Sequence, residues 1–504
     1  MMHHPATLAV VFVAQFIFFS WLSLHRFVAG DEGYYLMAAK LAASGQHPYL
    51  DYFYPQMPLL PYLYGIWAKL FGFGWETFRL LSALMAALLG TALFAHIRHR
   101  SGAAIALLAL ALFLSSTLIF PWMPLVKTYA LTTLLLFLAY LSFSYAGSLE
   151  VPRAKRLILL SGFLFGMATN TRLFFGPIGI VAALYIVFSK EHFRSKLSGL
   201  FCLAIGFAVA LIPNLYFLWR DSDTYLFNNI GYHVMRDGRP SEVIYRLKLR
   251  IAALLVGIKS SNQHYGVQFG LLLICALILS AKRFLSQGKL DASLPLAVAV
   301  IVVSFLPTPP YLQYFSCAVP FLICGAILHL PHATVTSSGS RKLFIIGTII
   351  FLAAYLWRVP HFLATYLESG KGVPWVKNTP HLEGKKPSGI QAVARKIDTA
   401  ASPGEKVLAL WPGYLVTSHA EPLHGLENHF GIKAAGKLPK DRRERYGILS
   451  HSQICSLLRR KQVRIAVIEQ SALRKGCLKQ ALSDSEYHLY SSENEIGIYT
   501  LPNS

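Results

Sequence analysis

The stretch from Gly30 to Tyr64 reads GDEGYYLMAAKLAASGQHPYLDYFYPQMPLLPYLY and directly follows the first apolar run. It puts three carboxylates, Asp31, Glu32 and Asp51, beside apolar sequence, where acids are costly unless they are used. A positioned carboxylate can take the proton of a hydroxyl as that hydroxyl attacks an electrophile. Asp31 and Glu32 are adjacent, so they cannot both point the same way. One would face a cavity, and the other would bind a neighbouring helix or loop. The plainer alternative is that both merely end the first span in headgroup water. Around them Tyr34, Tyr52 and Tyr54 offer ring faces and hydroxyls, and prolines stiffen the backbone. Such a loop suits polyol recognition better than ion conduction.

Cations suited to an anionic leaving group lie elsewhere. Arg172 sits in a short turn between apolar segments, where membrane topology gives no reason for a charge. Lys127 opens another apolar segment, and the loop 220–263 carries His233 and Arg236. Gln313 with Tyr314, and His264, stand at the starts of later segments. Each also has a plainer reading as a snorkelling or interfacial side chain.

The elements that must position these residues are membrane spans. Of 504 residues, 54% are hydrophobic and 14% charged, the composition of a polytopic membrane protein. The net charge of +23 lies largely in short loops, the pattern of topology signals and of contact with anionic lipid, which argues against nucleic acid. Apolar segments at 6–24, 80–96, 103–120, 125–146, 157–170, 173–189, 197–219, 264–281, 293–306, 310–330 and 343–358 predict about eleven transmembrane helices. The first is expected to be a retained anchor with a cytoplasmic N-terminus. One set of alternate loops is rich in Arg and Lys and reads as cytoplasmic. Loops 25–79 and 220–263, and everything after 358, then face the other side. Tyr34–Ala43 has helical apolar spacing with a polar side, predicting a short helix along the interface.

The pattern changes near Ser388. Helical spacing over Gly389–Ala400, Ser450–Lys461 and Leu473–Leu482 alternates with strand-like runs at Lys406–Leu410, Val463–Ile468, Tyr487–Ser491 and Ile496–Leu501, predicting a small extracytoplasmic α/β domain. The expected division is therefore a membrane module over 1–360, a linker over 361–387 and the small domain over 388–504. None of the six cysteines forms a CxxC pair, and no histidine has HExxH spacing, so no metal site built on cysteine or histidine is expected. Cys455 and Cys477 can pair if their domain lies outside the cytoplasm. WPGY at Trp411 and HGLENH at His424–His429 could bind carbohydrate or serve simply as loops.

Three stretches together carry a family resemblance. DE at the end of the first span, followed by YYLMAAKLAASGQHPYLD and a Pro-rich helix start, resembles the GT-C membrane glycosyltransferases of the protein-mannosyltransferase and aminoarabinose-transferase type. GFLFGMATNTRLFFGPIGI and PPYLQYFSCAVPFL resemble later segments of the same family, so that residues 6–330 are covered in order. The resemblance implies a GT-C fold and a polyprenyl-phosphate sugar as donor. It also implies a glycan, lipid or protein acceptor. From the loop charges, transfer is expected on the extracytoplasmic face, and the membrane is expected to be a bacterial inner or plasma membrane. By resemblance Asp31 is the base, with Glu32 structural or assisting. The departing phosphate would meet Arg172, with Lys127, Arg236, Gln313 and Tyr314 as further contacts. Tyr34, Tyr52, Tyr54, His233 and His264 would line the substrate. Lys127 stands in a region where many relatives carry an acid, which weakens any second acid or metal role there. No cofactor is required, although a divalent cation is compatible with the acids. A transporter or lipid-linked-sugar flippase is the alternative. It would call for acids near the midplane and two corresponding halves, and the sequence has neither.

Overall fold

The computed structural model describes residues 5–147, 149–188, 193–259, 266–288, 290–328, 330, 338–368, 382–474 and 476–502. His264, Lys190, Lys289 and residues 369–381 of the expected linker lie outside the described residues. The chain divides into two compact units. One comprises Met1–Ser23, Ser82–Pro213 and Arg239–Gly372; the other comprises Leu24–Leu81, Asn214–Gly238 and Val373–Ser504.

The first unit is helical. Among the described residues, six helices are long and apolar enough to cross a membrane, including Pro5–His25, Trp75–Ser101 and Gly266–Gln287. Shorter apolar helices such as Ala103–Leu114 and Ser293–Ser304 accompany them. Every one of the eleven apolar segments contains a helix.

The segment expected at 103–120 is corrected by the structure. Its helix stops at Leu114, and residues 115–127 run as turns through Pro121 and Pro124. A broken helix at membrane depth needs partners for its freed backbone groups. Gln268 supplies them. Its Oε1 accepts from the Thr117 N–H (2.8 Å) and Thr117 Oγ1 (3.0 Å), while its Nε2 donates to Ser115 O (3.1 Å) and Tyr355 O (2.8 Å).

The second unit gathers the acid stretch and the C-terminal α/β domain. A five-stranded sheet is formed by β1 (Lys406–Ala409), β2 (Glu421–Pro422), β3 (Ile465–Glu469), β4 (His488–Glu493) and β5 (Ile496–Thr500), in the order β2-β1-β3-β5-β4. β1 is parallel to β2 and β3, whereas β5 runs antiparallel to β3 and β4. Val407, Leu408, Ala466, Val467 and Ile468 are wholly buried, which explains their near-continuous apolar runs. A disulfide joins Cys455 to Cys477, with Cα atoms 6.1 Å apart.

The helix read at Tyr34–Ala43 begins earlier, at Gly30, and it is not a surface helix. Ten of its residues are buried. The helix Leu59–Phe71 and the turn Pro412–Leu415 cover it, so its polar side narrows to Asp31 and Lys40. Lys40 holds the turn: its Nζ donates to Leu415 O (2.8 Å) and Ser418 O (2.6 Å) and reaches Ala420 O at 3.5 Å. Burial pushes this ammonium down to about 8, against the pull of Asp398 and Glu421. Replacing Lys40 with Met leaves the three carbonyls without their shared donor, and should cost about 2–4 kcal/mol. Thermal unfolding in detergent measures it; an unchanged midpoint would mean that water replaces the ammonium.

Candidate active site

The two adjacent carboxylates part ways. Glu32, at the third position of its helix, reaches back to accept the Ala29 N–H at 2.8 Å, half of a capping box. Arg79 grips the same carboxylate, with Nε 3.1 Å from Oε1 and Nη2 2.8 Å from Oε2. Both side chains are fully buried. Arg79 also donates to Arg26 O (2.6 Å) and Phe27 O (3.3 Å), so one guanidinium ties the chain before the helix to the helix itself. Asp31, one position earlier, is partly exposed. It lies close enough to act electrostatically on Tyr34 and His429.

The small domain builds the rest of this wall. Trp411 Nε1 donates to Gly30 O at 2.8 Å, and the indole stacks on buried Trp75 at 6.0 Å. Gly33 permits that approach, because a Cβ there would sit 2.6 Å from the indole. Tyr34 lies 5.5 Å from the Phe430 ring and 6.1 Å from that of His429. Its phenol is held well above its usual range, first by burial and then by Tyr35 and Asp31.

The predicted substrate tyrosines are core residues here. Tyr34, Tyr52 and Tyr54 are all buried. Tyr52 donates to Ala38 O at 3.1 Å, and the Tyr54 N–H donates to Asn228 Oδ1 at 2.8 Å. Asp51 is exposed and accepts the His47 N–H at 2.6 Å, closing its own turn. His233 bonds Pro55 O at 2.9 Å, and Arg236 is partly exposed. Asp31, Glu32 and Tyr34 thus share one helix start, while Asp51 serves a separate turn.

The helical unit holds a cationic cluster of its own. The Arg172 guanidinium lies among three rings, 5.2 Å from Tyr129, 5.3 Å from Phe174 and 4.8 Å from Tyr314. Arg172 is 6% exposed. Thr171, its neighbour, bonds Thr132 through their hydroxyls. Lys127 is buried with its ammonium 5.5 Å from the Trp122 ring, and Gln313 is buried beside Tyr314. Cations held over aromatic faces gain about 2 kcal/mol once desolvated, which lets a charge be kept in a dry place.

A resident cation would find a poor donor set at the acid stretch, because Arg79 occupies Glu32 and Asp51 closes its own turn. Among the described residues, His451, Cys455 and Cys477 alone bring three potential ligands together, and two of those are joined in the disulfide.

Sequence reading missed Arg79, Lys40, Trp411 and His429 as partners of the acid helix. A charge one turn into the apolar helix Trp75–Ser101 was a usable signal for Arg79. The others depend on a domain some 370 residues downstream.

The fold is that of the GT-C membrane glycosyltransferases, and the chain is an integral membrane protein. The chain is similar over 97% of its length, and 97% of the other, to ArnT from Cupriavidus metallidurans bound to undecaprenyl phosphate, with 16% identity and a TM-score of 0.67. Against the apo form of that ArnT the values are 99% and 98% coverage, 17% identity and 0.66. The oligosaccharyltransferase of Archaeoglobus fulgidus is more distant, at 14% identity and a TM-score of 0.49, over 98% of this chain and 74% of that one. The family model described as dolichyl-phosphate-mannose-protein mannosyltransferase matches residues 46–217. No curated protein matches the chain in sequence.

Proposed function

We propose that this protein is a glycosyltransferase that moves a sugar from a polyprenyl-phosphate carrier to an acceptor hydroxyl. The observation that carries the reading is the divided acid pair: Glu32 is locked by Arg79, and Asp31 is left partly exposed at the start of the same helix. The fold shared with ArnT, which binds undecaprenyl phosphate, and the mannosyltransferase match over 46–217 support the class of donor.

The acceptor O–H loses its proton to Asp31 as its oxygen attacks the anomeric carbon. The bond from that carbon to the phosphate oxygen breaks, and its electron pair leaves with the polyprenyl phosphate. Attack opposite the phosphate inverts the anomeric centre. Phosphate is already a good leaving group, so cationic stabilisation is needed rather than a general acid. Arg172 and Lys127 are the cations we assign to it, with Gln313 and Tyr314 beside them. Positive-inside bias supports an extracytoplasmic position for the acid stretch, and we assign the protein to a bacterial inner or plasma membrane. The acceptor is a glycan, lipid or protein hydroxyl. No step is routed through a metal ion.

The test is sugar transfer by the purified protein against a panel of polyprenyl-phosphate sugars, with membrane extract supplying acceptors. Release of free polyprenyl phosphate is the expected signal, and silence across the full panel would count against the reading. In the same assay Arg172→Met should slow turnover about 10–100-fold through lost phosphate stabilisation. An unchanged rate would leave Arg172 as a packing residue.

A further inference from the structure

The HGLENH segment ends in a histidine that the proposed reaction does not use. His429 precedes the short helix Phe430–Ala435 in the C-terminal domain. Its ring lies 4.2 Å from that of Phe430 and 6.1 Å from that of Tyr34. The residue is partly exposed, yet its Nδ1 is shut away from solvent and has no hydrogen-bond partner among the described residues. Two acids act on the ring, Asp31 and Glu469, and Glu469 is itself held by the Tyr414 hydroxyl at 3.1 Å. Burial outweighs both and pushes the imidazole down to about 4. The ring is therefore neutral at physiological pH.

A neutral imidazole carries one N–H. With Nδ1 shut in, Nε2 is the nitrogen a ligand can reach, and the tautomer protonated there turns a donor toward it. We propose that His429 is a second substrate-contacting residue of the Asp31 site, its Nε2–H donating to the oxygen of the acceptor hydroxyl. Held by that bond, the hydroxyl turns its own proton toward the Asp31 carboxylate. The inference rests on the glycosyl-transfer reading for the identity of the acceptor, and on geometry alone for a hydroxyl-bearing ligand beside His429.

Two measurements on the full-length protein in detergent separate these dependencies. The first is histidine-labelled NMR, with the His429 resonance identified by its loss in His429→Gln. Methyl glycosides, used as hydroxyl-bearing probes, should shift that resonance saturably and leave the exposed His424 unmoved. No shift across the probe panel overturns the proposal. The second is the transfer assay. His429→Leu should raise the acceptor KM about tenfold, the worth of one hydrogen bond, with an unchanged unfolding midpoint. His429→Gln, which keeps a donor, should recover most of it. An unchanged KM in His429→Leu also overturns the proposal. A wild type inactive with every donor defeats the glycosyltransferase reading instead, and the methyl glycoside titration then decides His429 by itself.

Discussion

Asp31→Asn should fold normally and transfer sugar about 10²- to 10⁴-fold more slowly than wild type, the usual contribution of a general base. The substitution keeps the shape of the side chain and removes its capacity to hold a proton. Stability should change little, because asparagine keeps the size of the side chain and its capacity to accept a hydrogen bond. The lost charge weakens the helix-dipole interaction by about 0.3–1 kcal/mol at most. Turnover by single-turnover kinetics and the midpoint by thermal unfolding are the two readouts. Equal rates in both proteins would remove Asp31 as base and turn attention to Asp51.

Glu32→Ala should do the opposite: it should destabilise the protein strongly. Removing one partner of a buried pair leaves the other charge uncompensated, at about 3–5 kcal/mol. Here the stranded charge is Arg79, fully buried, and the Ala29 N–H loses its acceptor as well. The paired replacement Glu32→Leu with Arg79→Met removes both charges and should recover much of the loss. If that double variant is folded and still active, Glu32 has no chemical role. If it is folded and inactive with Asp31 intact, Glu32 shares in catalysis.

The contrast between the two acids shows what could be read from the chain. Apolar segments are legible because a bilayer demands long apolar runs and accepts few substitutes. Each predicted segment contains a helix, and the strand runs at 406–410, 463–468, 487–491 and 496–501 all reappear in the sheet. The division of labour between Asp31 and Glu32 was legible only in outline, since adjacency forbids a shared direction without saying which residue turns inward. Arg79 settles that choice in the structure. Tyr34, Tyr52 and Tyr54 read as an open sugar-binding face, because an aromatic loop looks the same whether ligand or protein covers it. The C-terminal domain supplies Trp411, His429 and Phe430 as the cover for Tyr34 and the helix start. No periodicity can report a partner so far away along the chain. The break at 115–127 was hidden for a similar reason: its residues are apolar enough for a span, and the Gln268 side chain that bonds the turn lies far along the chain.

That clamp also imposes an order on synthesis. Residues 115–127 leave the ribosome about 150 residues before Gln268 does, and Tyr355, whose carbonyl shares the same amide, follows later still. Until Gln268 arrives, the Thr117 N–H and the Ser115 carbonyl lack their side-chain partner. Insertion of this bundle is therefore completed from its C-terminal end. A nascent chain stalled before residue 266 should leave this turn open to protease, and one released after residue 368 should protect it.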